Sequence, residues 1–448
     1  MPRPPPRRAL NSPTPASRTT TVLAALASFS VLASYYLIRP IRDELSAEYP
    51  DDLAALWTYT GIVSLAVMPV YTSVISRTRA NRLAPRVYLT VAGALVIFAA
   101  FFASDFTTNT ELLDKSFYVL SSLYAMFVVS VLWSTLTSTY TSDASKKHAG
   151  RVFAAGTVGG ICGSFIVSQS ALHVAPEVYL IGAAVLILPA AWALNRLAKH
   201  APPKANSHTT DDRDGQPTSP DSAASAPTEL PISQRLETGF LRILKSPYLL
   251  GISCYLLLFV FGSGFLYYLQ KDILRQFVDR GERRVFLGRI DLAVQTLTVI
   301  TQFLFTAQVI RRWGMALTLT VVPIVTVIGF TSLALAPTLW VLVGLIVLRR
   351  ATNYALAKPA REILYTVVSR EERYLTKPLL DVGLYRFGDL AAAWFYEGMK
   401  AAMTAGISGM AWLAVPFGAA AIPVGRWLGK NQEKMAQQQH AAEPSSKS

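Results

Sequence analysis

Cysteine is nearly absent. Only Cys162 and Cys254 occur in 448 residues, both inside apolar runs, so no disulfide framework or thiolate metal site organises the chain. They read as small core residues. Histidine is as scarce: His148, His173, His200, His208 and His440 fall in loops, tails or at the end of an apolar run, which argues against a catalytic constellation inside those runs. No Gly-x-x-x-x-Gly-Lys-Ser/Thr phosphate loop is present, which disfavours an ATP-driven pump. A secretory signal is also missing, because Met1 to Thr20 is a Pro/Arg/Ser-rich tail leading into an apolar run too long for one. Charge is short as well, at 16% of residues, against the ~25% usual for soluble domains.

What the chain has instead is apolar length. Hydrophobic residues make up 52% and mean hydropathy is +0.35. Runs such as TTVLAALASFSVLASYYL and YLLGISCYLLLFVFGSGFLYYL are long enough to cross a bilayer. About twelve such spans can be counted, predicting an all-α polytopic membrane protein in two six-helix halves.

The net charge of +14 would suggest nucleic acid in a soluble chain, but its placement points to a lipid bilayer and no nucleic acid. Arg3, Arg7, Arg8 and Arg18 precede the first span, and Arg77, Arg79, Arg82 and Arg86 follow the second. Alternate loops are acidic, with Asp43, Glu44, Glu48, Asp51 and Asp52 after the first span and Asp105, Glu111 and Asp114 after the third. This pattern predicts an inner (plasma) membrane protein with both termini cytoplasmic. One loop breaks it, since QKDILRQFVDRGERR carries Lys271, Arg275, Arg280, Arg283 and Arg284 where an external loop is expected.

Composition divides the chain into a cytoplasmic tail (1–20), a six-helix bundle (21–196), a cytoplasmic linker (197–246), a second six-helix bundle (247–428) and a cytoplasmic tail (429–448), whose NQEKMAQQQHAAEPSSKS is expected to be disordered. The linker is rich in Pro, Ser, Thr and Asp and ends in ISQRLETGFLRILKSP, an amphipathic segment expected along the inner membrane surface. The halves echo each other. YYLIRPIRD at Tyr35 is matched by YYLQKDILR at Tyr267, and YTSDASKKHAGR at Tyr140 by YTVVSREERYLTK at Tyr365. Transporters are often built from such repeats, with substrate near the midplane. The fifth span carries GTVGGICGS, whose glycines at Gly156, Gly159, Gly160 and Gly163 predict close helix packing.

The candidate site centres on Leu348 to Asp389, where charges are set inside two apolar spans. With the tenth span starting near Thr338, Arg349 lies about 16 Å along it, close to the middle of a ~30 Å hydrocarbon core. A charge there costs roughly 2.5 to 3.5 kcal/mol on insertion scales, so Arg349 and Arg350 must face water, a partner charge or a ligand. Asp389, at similar depth on the next span, is the expected partner, above all of Arg350. Asp381, Tyr385 and Asp389 recur on one helix face, and Arg386 lies beside them. Arg361 and Glu362 lie near the inner boundary. Arginine at midplane depth suits an anion, because its fork binds carboxylate or phosphate bidentately.

YYLIRPIRDEL, TSDASKKHAGRVFAAGTVGGICGS and AKPAREILYTVVSREERYLTKPLLDVGLYRFGD together resemble the ATP/ADP antiporters, the nucleotide transporters of plastids and intracellular bacteria, and particularly their relatives in free-living bacteria. The resemblance covers the membrane region apart from the linker. It implies a major-facilitator-like bundle that exchanges nucleotides by alternating access. It also implies substrate-binding roles for Arg42 and Asp43 at the end of the first span, where Arg39 is a further candidate, for Arg361 and Glu362 in the tenth, and for Lys377 and Asp381 entering the eleventh. Two positions depart: the family's acidic residue of the fourth span falls near Ser121, and its Gly-Lys-Ser of the eleventh falls on Gly388, Asp389 and Leu390. The expectation is a monomeric secondary transporter for a small anionic solute, a nucleotide foremost, without cofactor and not an enzyme. The alternatives are another organic anion, or a transport-dead receptor or assembly factor of the same fold.

Overall fold

The computed structural model describes residues 18–77, 80–104, 110–139, 142–199, 232–403 and 406–442. The basic N-terminal tail before Arg18 and most of the linker lie outside them. The described backbone is nearly all helix: α1 (Arg18–Glu48), α2 (Leu53–Arg77), α3 (Ala80–Ala103), α4 (Thr110–Thr139), α5 (Ser142–Ser170), α6 (Pro176–Lys199), α7 (Ile232–Lys245), α8 (Pro247–Leu274), α9 (Arg280–Thr301), α10 (Ala307–Leu335), α11 (Leu339–Thr352), α12 (Lys358–Leu364), α13 (Arg370–Pro378), α14 (Tyr385–Ala402) and α15 (Ile407–Ala442). Among the described residues nine helical runs are long and apolar enough to cross a membrane. That is fewer than the twelve spans counted in the sequence: α2 has a shorter apolar stretch, Leu53–Val67, and α9, which opens on RGERR, and α14 are not among the nine. The surface fits a lipid solvent, with Leu65, Trp192, Phe303 and Trp340 all exposed. Cys254 is exposed too and Cys162 is half-buried, so neither is the core residue its apolar setting suggested.

The chain forms two compact units. The first comprises Met1–Ser46, Ile62–Pro203 and Asp279–Leu292, the second Ala47–Gly61, Lys204–Val278 and Ala293–Ser448.

In the first unit, α5 lies so close to α1 that side chains are excluded. A Cβ on Gly159 would come within 2.2 Å of the Phe29 carbonyl oxygen, and one on Gly163 within 2.5 Å of that of Ala33. The glycine series is therefore a packing surface, as its spacing predicted. Buried hydroxyls are passed from helix to helix: Tyr124 donates to Ser34 Oγ (2.7 Å), which donates to the Ala183 carbonyl (2.8 Å), and Tyr88 donates to the Val128 carbonyl (2.9 Å). Pro40 lies inside α1 without ending it, and the helix runs on to Glu48.

In the second unit, α10 packs along α15, and α8 packs on α14 and α15. Gly314 breaks α10 at φ +74°, a left-handed conformation that favours glycine. The helix restarts at Met315, whose amide is capped by Glu433 Oε1 at 2.7 Å. Glu433 belongs to the stretch expected to be disordered. That expectation is corrected, because α15 continues through Ala442 and buries Gln432. Three π-helical turns interrupt the helices: Gln302–Thr306 between α9 and α10, Asn353–Ala357 between α11 and α12, and Leu379–Leu384 between α13 and α14.

Candidate anion site

In the first unit Arg39, Arg42 and Asp43 come together on the last turns of α1. Asp43, 4% exposed, receives Arg42 Nη2 at 2.6 Å and Arg39 Nε at 3.4 Å. Arg39 Nη1 reaches Asp291 of α9 at 3.2 Å. Two guanidinium groups thus meet two carboxylates. A second balanced set lies nearby, where fully buried Glu44 receives Arg280 Nε at 2.6 Å and Arg284 Nη1 at 3.7 Å, and Arg280 Nη2 also reaches Asp114 at 3.2 Å. A cavity of about 680 Å³ is lined in part by Asp114, His173, Asp279, Arg280 and Arg284. Its two arginines are among those already ion-paired.

At least four of the five cations in the loop that broke the charge alternation are engaged by carboxylates or a ring. Arg280 and Arg284 are neutralised by Glu44 and Asp114, Arg275 lies 3.6 Å from Asp51, and Lys271 Nζ lies 4.4 Å from the centre of the Tyr267 ring. At the two matched sequence stretches, Arg39 lies 5.7 Å from the centre of the Tyr36 ring and Lys271 5.5 Å from that of Tyr268.

The second unit treats its arginines differently. The tenth span begins where expected, with the Thr338 hydroxyl accepting from the Val341 amide at 3.4 Å. Arg349 is 4% exposed. Its Nε donates to Thr326 Oγ1 (2.9 Å), Nη1 to Ser263 Oγ (3.0 Å) and Nη2 to the Phe259 carbonyl (2.9 Å), which ties α11 to α10 and α8. Half-buried Arg361 donates Nη1 to the Tyr385 hydroxyl at 2.7 Å and Nη2 to Asn353 Oδ1 at 3.3 Å. Both guanidinium carbons approach the Phe259 ring, at 4.9 Å for Arg349 and 4.7 Å for Arg361. Every one of these partners is neutral, and among the described residues neither guanidinium is ion-paired to a carboxylate.

The π turns set this geometry. Asn353 opens one π segment and Tyr385 follows another directly, so both hydrogen-bond partners of Arg361 sit at a change of helical register. An extra residue in a turn rotates the helix beyond it by about 100°. The Tyr354 carbonyl, inside the same π segment, accepts from Gln302 Nε2 at 3.4 Å, and Gln302 opens the third such segment.

The remaining candidates separate. Lys377 Nζ pairs with Glu362 at 2.6 Å, with Glu362 exposed and Lys377 half-exposed. Asp381 is exposed and Arg350 half-buried. Asp389 was expected to pair with Arg350, but the arginine in reach of it is Arg386, one turn away on its own helix at 4.0 Å. Ser121, where the resembled family carries an acid, is buried and donates to the Tyr118 carbonyl. Sequence reasoning missed Phe259 and Asn353, which carry no charge to mark them, and did not read Tyr385 as the partner of Arg361. Among the described residues no group of three or more His, Cys, Asp or Glu side chains is placed to hold a metal ion.

The fold is that of a polytopic all-α membrane protein. Solved structures of that shape include a bacterial homologue of the human lysosomal transporter Spinster, inward-facing and unoccupied (TM-score 0.59, 15% identity, covering 94% of this chain and 99% of that one). The nucleoside transporter NupG superposes with a TM-score of 0.56 at 12% identity over 92% of this chain and 97% of its own. A bacterial homologue of the iron transporter ferroportin gives 0.57 at 13% identity, over 92% and 98%. In sequence, a stretch of 184 residues is 25% identical to ADP,ATP carrier protein 2 of Chlamydia pneumoniae, covering 36% of this chain. The match spans about a third of that relative's length, 34%. No family model matches the chain. All of these similar proteins are transporters or carriers by name, and none is described as an enzyme.

Proposed function

We propose that the chain is a secondary transporter that moves an anionic organic solute across the bacterial inner membrane by alternating access, with nucleotide exchange as the leading reaction. One observation carries the anion: Arg349 and Arg361 lie against one phenylalanine ring inside apolar helices, with neutral partners only. A guanidinium without an ion pair is costly at the depth of Arg349, and an anionic solute would supply a counter-charge to it and to Arg361 beside it. In this reading Arg349 is the fixed member, held by three helices. Arg361 is the binding member, because it is half-exposed and its fork can exchange Tyr385 or Asn353 for a phosphate or carboxylate oxygen. The partial similarity to an ADP,ATP carrier and the resemblance of the quoted motifs support a nucleotide. Serine at position 121 and Asp389 in place of a basic residue support a second reading, another organic anion in the same site.

On this reading Arg39, Arg42 and Asp43 form with Asp291 a charge-balanced set that shapes the first unit, and Glu362 with Lys377 forms a pair outside the anion contacts. Both termini are placed in the cytoplasm by the charge alternation, a topology that single-cysteine labelling near Arg79 and Asp211 would test. Purified protein in liposomes loaded with ATP, ADP or smaller organic anions should show saturable counterflow of at least one labelled anion. Arg361→Gln should abolish that exchange while inserting normally. Movement of neutral or cationic solutes alone would overturn the assignment.

A further inference from the structure

Over its last two turns, residues 239–245, helix α7 has a wider apolar arc than the protein covers. At about 100° per residue, Gly239 and Ile243 share one side, Phe240, Leu244 and Leu241 follow at about 100°, 140° and 200°, and Lys245 and Arg242 close the circle at about 240° and 300°. The first side faces α13, where a Cβ on Gly239 would meet the Leu375 carbonyl oxygen at 2.8 Å. Arg242 secures the same contact through Glu371 at 2.5 Å. The next arc is uncovered, with Phe240 58%, Leu241 44% and Leu244 53% exposed.

The height of this uncovered face is set by the chain itself. A single residue, Ser246, separates α7 from Pro247, the first residue of the membrane-spanning helix α8, and its hydroxyl accepts from the Leu249 amide at 3.4 Å. Leu250, one turn into that span, is likewise exposed, so the apolar surface of α7 continues onto the lipid-facing surface of α8. Cations end the helix at the level where headgroups lie, with Arg242 and Lys245 in its last turn.

We infer that the outer face of α7 is a membrane-docking surface, with Phe240, Leu241 and Leu244 seated at the boundary between lipid headgroups and acyl chains, Gly239 and Ile243 on the protein, and Lys245 in the headgroup layer. The helix is then held by three surfaces at once: α13, lipid and water. The docking is independent of what the protein carries.

Site-directed spin labelling of the full-length chain tests it. Cys162 and Cys254 are replaced by alanine, single cysteines are introduced as Phe240→Cys, Leu241→Cys, Leu244→Cys, Thr238→Cys and Lys245→Cys, and the labelled protein is placed in vesicles of phosphatidylethanolamine and phosphatidylglycerol. At 240, 241 and 244 the label should collide with oxygen several-fold more often, relative to a water-soluble nickel chelate, than at 238 and 245. Equal access to the chelate at all five positions would show a face turned to water. Immobile labels closed to both reagents at 240, 241 and 244 would show a covering polypeptide, either a second copy or another segment of the chain. Either result overturns the inference. Labels at 238 and 245 report whether the helix is in place, so a misfolded variant is not mistaken for either.

Discussion

Adding one methyl group at Gly159 tests the packing of the first unit directly. The new Cβ would stand 2.2 Å from the Phe29 carbonyl oxygen and 2.9 Å from both the carbonyl carbon and the Cα of the same residue. Carbon contacts relax near 3.5–4.0 Å, so α1 and α5 must separate by about 1 Å or more, and no rotamer change relieves a clash with backbone. Overpacking costs about 1–3 kcal/mol, here toward the upper end, while alanine returns about 1 kcal/mol of helix propensity. Gly159→Ala should therefore lose about 2 kcal/mol, a midpoint lower by roughly 4–8 °C at the ~2–4 °C per kcal/mol of larger domains. The series should be graded. Gly163→Ala meets the Ala33 oxygen at 2.5 Å and should cost less, and Gly156→Ala meets the movable tip of Leu32 at 3.0 Å and should cost least. Gly93, with nothing within 4 Å of its Cβ position, is the control and should be unchanged or slightly stabilised by alanine. Thermal unfolding of the purified variants in one detergent, followed by size-exclusion fluorescence, gives all four midpoints. If Gly159→Ala unfolds no earlier than Gly93→Ala, the close approach of α1 and α5 is wrong.

Three further outcomes follow from the polar contacts. Arg39→Leu should cost about 3–5 kcal/mol by removing a charge partner of buried Asp291, and the double change with Asp291→Leu should recover much of it because Arg42 and Asp43 remain paired, as thermal midpoints of the three proteins would report. Arg349→Lys should lower thermal stability, since an ammonium cannot serve Thr326, Ser263 and the Phe259 carbonyl in one fork, whereas Arg361→Lys should leave stability nearly unchanged and weaken anion affinity in counterflow. Glu433→Ala should cost about 0.5–2 kcal/mol by uncapping Met315, and the change should appear in hydrogen exchange at the break in α10.

The helices were legible because apolar runs of bilayer length have few alternatives, and the start of the tenth span near Thr338 was legible from its apolar run. The glycines of α5 were legible for the same reason, since four-residue spacing places them on one face. Partner choice was not. Arg39 meets Asp291 from far along the chain, and Asp389 meets Arg386 rather than Arg350, choices that depend on how helices rotate. The π turns that set those rotations beside Asn353 and Tyr385 add a residue without leaving a mark on composition. Cys254 shows a related limit, because in a lipid solvent an apolar position need not be an interior one. The stretch after Leu428 misled by its low hydropathy, although Gln432 and Glu433 are held by the fold.

Glu433 also has a bearing on the order in which the protein is made. The carboxylate that caps the restart of α10 lies 118 residues after the amide it receives. At about 5–20 residues per second, translation reaches it roughly 6–24 s after Met315. Throughout that interval the break at Gly314 stands without its cap, and the face of α10 that receives α15 stands open. The second unit is therefore completed only when the last helix has been synthesised. A chain cut after Leu428 would keep its apolar run in the last helix and still lack the contact that closes α10, so its failure would show as a nascent protein that inserts but does not consolidate.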